Sequence, residues 1–115
     1  MIHVINKKFY KGASEYVGRP SILGNPYSSK ESNIAKYQCS CNEEAVHMFK
    51  KYLIDEIKNG NDEILNELKR LYLLSQQGDL LLGCWCVPFN DCHAEFIKKV
   101  LDNFHIVTKL YPDLI

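Results

Sequence analysis

Residues Gly78–Val100 read GDLLLGCWCVPFNDCHAEFIKKV, and this stretch decides the fold. Leu80–Leu81–Leu82–Gly83–Cys84–Trp85–Cys86 is an unbroken apolar run after Gly78–Asp79. A run of that length predicts a strand covered on both faces, as in the middle of a parallel sheet. Val87–Pro88–Phe89–Asn90–Asp91 reads as a turn, because proline cannot donate to a ladder and Asn and Asp tolerate tight loops. Phe96, Ile97, Val100, Leu101 and Phe104 then recur at helical spacing, which predicts a helix starting near Cys92 or His93. Strand alternation would place Cys84 and Cys86 on one face and Trp85 on the other.

Working outward, Ile2–Asn6 is a short β-forming run and predicts the first strand. From Lys11 to about Cys39 glycine, proline, serine and asparagine predict a long loop, with an edge strand at Glu15–Gly18 and a helical turn near Ser32–Lys36. Ser40 and Glu43 fit a capping box, and Ala45, Phe49, Leu53 and Ile57 line one face of a helix to about Lys58. Asn59–Gly60–Asn61 ends it. Asp62 is then expected to cap a second helix carrying Ile64, Leu65, Leu68, Leu71 and Tyr72, stopping near Gly78. Ile106–Tyr111 is rich in β-branched and aromatic residues and predicts a final strand or an extended tail. The order β–loop–α–α–β–α–(β) predicts an α/β fold: a small, mostly parallel sheet with helices packed on it, a Rossmann-like two- or three-layer sandwich.

The totals exclude several classes. A chain of 115 residues with 46% apolar residues suits one domain, residues 1–115, with a real core. Acidic and basic residues balance at 14 each, which argues against a nucleic-acid surface built on net charge. No apolar run reaches the roughly 20 residues that cross a bilayer, so no membrane role is expected. Met1–Asn6 lacks a signal-peptide pattern, and a cytoplasmic location follows as the expectation. Five cysteines is an odd number, against a disulfide framework, so the thiols are read as reduced. The sequence leaves room for a homo-oligomer.

Ligands of open α/β sheets sit beyond the carboxyl ends of strands, beside the starts of helices. Cys86, Cys92 and His93 fall there. Three readings of this cluster stand side by side. Cys84, Cys86, Cys92 and His93 could bind a soft metal such as zinc or an iron–sulfur cluster, although C-x-C-x5-C-H is not a standard zinc spacing. Cys92 or Cys86 could be a low-pKa thiol with His93 as acid/base partner. The plainer alternative makes Cys84 a small core residue and has Cys92 and His93 cap the helix and shape a pocket.

A second constellation is Gly18–Arg19–Pro20–Ser21 with Leu23–Gly24–Asn25–Pro26. The glycines allow close backbone approach to a ligand, and Arg19 offers a planar fork for phosphate or carboxylate. Ser21 and Asn25 can add hydrogen bonds. No P-loop or dinucleotide fingerprint is present, and a purely structural loop fits equally well. Asn6–Lys7–Lys8 ends the first strand and could face the same site, or be solvated. Tyr16 and Tyr27 flank the glycine loop and could pack on a base or sugar, whereas Tyr52 and Tyr72 suit the core. His3, His47 and His105 show no partner by spacing.

Taken together, Asn6–Lys7, Tyr16–Val17–Gly18–Arg19, Leu23–Gly24–Asn25–Pro26, Cys84–Trp85–Cys86 with Pro88, and Cys92–His93–Ala94 resemble a small phage and bacterial family, domain of unknown function 4326. The resemblance runs from Asn6 to about Leu101. It implies that these segments converge on one site. By analogy with small Rossmann-like proteins, such a site holds a nucleotide-like or phosphorylated small molecule, without a further cofactor. An enzyme version would be of hydrolase or glycosyl-transfer type, cleaving a glycosidic or phosphate ester bond with Cys92 or His93. A binding version in a phage would sequester a host nucleotide signal in the host cytoplasm, an anti-defence role. A metal domain, or an inhibitor acting through its protein surface, are the alternatives from other classes.

Overall fold

The computed structural model describes residues 1–19, 21–28, 37–38, 42–85 and 92–110. The apolar run forms β5 (Leu80–Cys84), with β1 (Ile2–Asn6) on one side and β2 (Glu15–Tyr16) on the other. Both neighbours run parallel to β5, with Ile2 opposite Leu80, Asn6 opposite Cys84 and Tyr16 opposite Gly83. β5 is therefore the central strand, as its uninterrupted apolar sequence requires. Two further strands, β3 (Tyr27–Ser28) and β4 (Tyr37–Gln38), form a separate parallel pair inside the stretch expected to be loop. Two-residue ladders carry no periodic signal for a sequence to show.

Helix α1 (Asn42–Lys58), α2 (Asp62–Gln77), α3 (His93–Asp102) and α4 (Phe104–Leu110) complete the described elements, and the fold is α/β. Alternation along the strands sends Leu80, Leu82 and Cys84 into one buried cluster with Phe49 and Leu53 of α1, Leu68 and Leu71 of α2, and Ile97 and Leu101 of α3. Burial of this kind stabilises by roughly 25 cal/mol per Å² of apolar surface removed from water. None of the described helices is long and apolar enough to cross a membrane.

A hydrogen-bonded turn joins α1 and α2. Gly60 takes a left-handed φ of 72°. Its N–H donates to Ile57 O, and Asn61 N–H donates to Glu56 O, the two bonds of a Schellman motif. Asn61, not Asp62, caps α2: its side chain accepts from Glu63 N and Ile64 N. Asparagine accepts these bonds as well as aspartate does, and Asp62 instead meets the positive end of the helix dipole. The capping box expected at Ser40 and the helical turn at 32–36 lie outside the described residues.

The C-terminal expectation is corrected. Phe104–Leu110 is helix α4, not a strand. Phe104 and Val107, one helical turn apart, are buried, and Phe104 stacks on Tyr72 with ring centroids 4.5 Å apart. That packing overrides the β preference of Ile106, Val107 and Thr108, which is a weak and context-dependent signal. The central strand also stops at Cys84. Trp85 is already in an exposed bend. His3 does have a partner: parallel register sets its Nε2 3.6 Å from Asp79 Oδ1.

Gly83 faces away from the helices. A Cβ there would lie 2.8 Å from Ser14 Oγ and 3.1 Å from Lys7 Cγ and Cδ. The missing side chain lets the connection from β1 to β2 lie directly on the central strand. Gly83→Ala is expected to lower stability by about 1–3 kcal/mol through overpacking. Urea denaturation measures this, and an unchanged or raised midpoint contradicts the packing described.

Candidate functional site

Parallel pairing brings Asn6, Cys84 and Tyr16 to one edge, where all three strands of the sheet end. The register sets Asn6 beside Cys84 on the core side. Asn6 is buried, and its Oδ1 accepts from Lys8 N at 2.8 Å. Lys7 N donates to Cys84 O at 2.9 Å, which extends the ladder one residue beyond the strand. On the opposite side of the sheet the Lys7 stem crosses Gly83, and its ammonium lies 5.9 Å from the centroid of the Tyr16 ring. Lys7 is thus held at the sheet edge rather than waving in solvent.

The chain leaving β2 makes a compact turn. Val17 N donates to Gly83 O at 3.0 Å and Tyr16 Oη donates to Arg19 O at 2.7 Å. Ser21 N then donates to Gly18 O and Gly24 N to Ser21 O, both at 2.9 Å. Gly24 sits so close to the start of this turn that a Cβ would be 2.9 Å from Arg19 Cα and from Gly18 O. Those are backbone atoms that cannot move aside, so only glycine fits. Leu23 and Val17 are buried and anchor the turn to the core. Arg19 Nη1 reaches Asn25 O at 3.4 Å, and Asn25 Nδ2 donates to Ala45 O of α1 at 3.0 Å. Ser21 Oγ is shut off from solvent and has no hydrogen-bond partner among the described residues.

Helix α3 begins at the same corner. Cys92 is its N-cap residue and makes no side-chain capping bond. His93 is buried, and its Nε2 lies 2.6 Å from Val17 O. A carbonyl can only accept, so Nε2 carries the proton and Nδ1 is the accepting nitrogen. Cys92 Sγ lies 3.8 Å from that Nδ1. Phe49 of α1 meets the imidazole edge-on with centroids 5.0 Å apart. Burial holds the His93 pKa below its ordinary value. The Val17 carbonyl opposes this, and the positive charge of Arg19 adds to it. Arg19 and His93 are therefore within electrostatic reach of each other.

The structure gathers Asn6, Lys7, Tyr16, Gly18, Arg19, Ser21, Gly24, Asn25, Cys84, Cys92 and His93 around the carboxyl edge and the turn that follows β2. Tyr27 lies in β3, which packs on α1. Cys86 lies outside the described residues, so the four-residue metal set is not assembled among them. Among the described residues no group of three His, Cys, Asp or Glu side chains could hold a metal ion. Neither Cys84 nor Cys92 is in a disulfide. The sequence does not single out Ser14, and it shows Phe49 only as a core position of the first helix and Val17 only as part of the motif around Arg19, not as the acceptor for His93. A backbone acceptor leaves no mark in a sequence, whereas the glycine inside the β5 run was a readable sign of close approach.

The depressed His93 pKa has a consequence for stability. The unfolded chain binds a proton on this residue near pH 6.5, and the folded chain only at lower pH. Stability from this group is complete above that pH and falls as pH drops toward the folded value. The stability of the parent protein minus that of His93→Gln should therefore decrease from pH 7.5 to pH 5, followed by urea denaturation at each pH. A flat difference, or one that grows on acidification, contradicts a buried neutral imidazole.

No curated protein and no solved structure matches the chain. The family model described as Domain of unknown function (DUF4326) matches residues 3–103, a span that contains all of the three-stranded sheet but Ile2, helices α1 to α3 and every residue of this corner, and the chain belongs to that family.

Proposed function

We propose that the protein binds a nucleotide-like or phosphorylated small molecule at the carboxyl edge of its sheet. One observation carries this reading. The turn bearing Arg19 is hydrogen-bonded, through Val17 O, to the first residue of α3, where parallel strands end. Ligands of open parallel sheets are held at this place in the fold. The unsatisfied N–H groups at a helix start favour an anion, and an arginine fork adds charge and geometry. In this reading Arg19 meets the phosphate, assisted by backbone N–H groups near Gly18, Gly24 and His93. Lys7 adds a second cation, and Tyr16 offers its ring to a base or sugar. Asn25 holds the turn onto α1, and Ser21, with its hydroxyl buried, acts within the turn.

The Cys92–His93 contact supports a second reading in which the bound molecule reacts. With Nε2 held by Val17 O, only Nδ1 can take the Cys92 proton, leaving a thiolate beside an imidazolium. Such a pair would suit hydrolysis or glycosyl transfer at a nucleotide-like substrate. Burial of His93 opposes the charged imidazole, so the binding reading comes first. Holding a host nucleotide signal without turnover is the use a phage would make of such a site.

The test is mass spectrometry of small molecules released from freshly purified, denatured protein, followed by affinity measurement on the molecule found. Arg19→Ala should weaken that affinity about tenfold or more, since a charged hydrogen bond contributes roughly 1.5–3 kcal/mol. Arg19→Lys should recover only part, having the charge without the fork. An Arg19→Ala affinity within about twofold of the parent rules out the anion role.

A further inference from the structure

We infer that the groove between α1, α3 and α4 binds a small amphiphilic anion, an apolar chain ending in one carboxylate or phosphate-type headgroup. The groove is open to solvent and offers about 400 Å³. Small-molecule sites span roughly 300–1,000 Å³ and are mostly apolar with a few placed polar groups. Its floor is Ile57 and Val107, both buried. Phe96 and Val100 of α3 form one side and are packed against the core. Ile106 and Leu110 of α4 rise beside them, 53% and 60% exposed, and Ile54 of α1 stands opposite at 41%. Apolar side chains scattered singly on a surface need no explanation, but these converge on one concave face.

The polar lining names the headgroup. Among the described residues it consists of Lys58 and Lys99, both exposed, and Asn103. Both charged members are cations, on a chain whose acidic and basic residues balance at 14 each. Lys58 lies in the last turn of α1 and Lys99 in the last turn of α3. Lysine stems lie along apolar surface and carry the ammonium to the rim. A chain in the groove would thus lie on aliphatic and aromatic carbon with its anionic end at two ammonium groups. A neutral chain would gain nothing from them, and a cationic one would be repelled. The groove shares no residue with the carboxyl-edge corner, so this inference stands apart from the function proposed above.

The experiment is calorimetric titration of the full chain with dodecanoate below its micellar range, beside dodecanol as the uncharged chain of equal length. Saturable binding of dodecanoate is expected, with dodecanol weaker by about threefold or more, the scale of ion pairing at exposed lysines. The double variant Lys58→Gln, Lys99→Gln should remove that preference. Ile106→Glu, at an exposed position, should abolish binding of both without moving the unfolding midpoint. No saturable binding of dodecanoate, equal affinity for the two chains, or an Ile106→Glu variant that binds like the parent would overturn the inference. So would binding of an acidic amphipathic peptide where dodecanoate does not bind, which would make the groove a protein-docking face.

Discussion

The hydrogen bond from His93 Nε2 to Val17 O, 2.6 Å long and spanning 76 positions of sequence, is the constraint on which the functional corner depends. It joins the beginning of α3 to the chain leaving β2. The attachments on either side of it also join distant parts of the sequence. Val17 N is bonded to Gly83 O of the central strand, and Asn25 Nδ2 to Ala45 O of α1. The turn that carries Arg19 is therefore fixed at both ends and cannot drift from the helix start. A buried imidazole is costly unless it is satisfied. Here one nitrogen is satisfied by a carbonyl and the other faces a thiol, so the neutral ring is well accommodated.

This arrangement explains why the residues of the corner divide into two kinds. His93, Asn25, Gly24 and Gly83 determine shape: each is a hydrogen bond or a close approach that any larger or less polar side chain would spoil. Arg19, Lys7 and Tyr16 bring charge and ring surface to the shape so made. Preorganisation of this sort lowers the ordering cost of holding a ligand. The groove on the far helices works by other physics. Its lining among the described residues is mostly aliphatic and aromatic, with two exposed lysines and Asn103 as the polar members. The anions proposed for the two surfaces accordingly differ in kind, a nucleotide-like or phosphorylated molecule at the sheet edge and one with an apolar chain in the groove.

Much of the fold was legible in the sequence because it rests on periodicity. The apolar run at 80–84, the i, i+4 stripe of Ala45, Phe49, Leu53 and Ile57, and the recurrence of Phe96, Ile97 and Leu101 each specify an element and its buried face. The segment at 106–110 was misleading because its β-branched residues speak through propensity, while its helix is imposed by Phe104 and Val107 meeting the core. The two-residue strands β3 and β4 were too short to show. Of the corner, the side chains were visible as letters, but the contacts that assemble it run through main-chain atoms: Val17 O, Gly83 O and Ala45 O. Those acceptors are the same in every residue, so only the folded chain could reveal which were used.

The central claim is that the turn after β2 and the start of α3 form one ligand-binding unit. Backbone amide shift mapping by NMR tests it most directly, with ribose 5-phosphate and a panel of nucleoside mono- and diphosphates titrated into the full chain. The account predicts that at least one of these gives saturable shifts at Gly18, Arg19 and Gly24 together with His93 and Ala94, while Ile2 and Leu80 at the other end of the sheet stay still. Shifts confined to one segment without the other, or no saturable shift with any member of the panel, would contradict it.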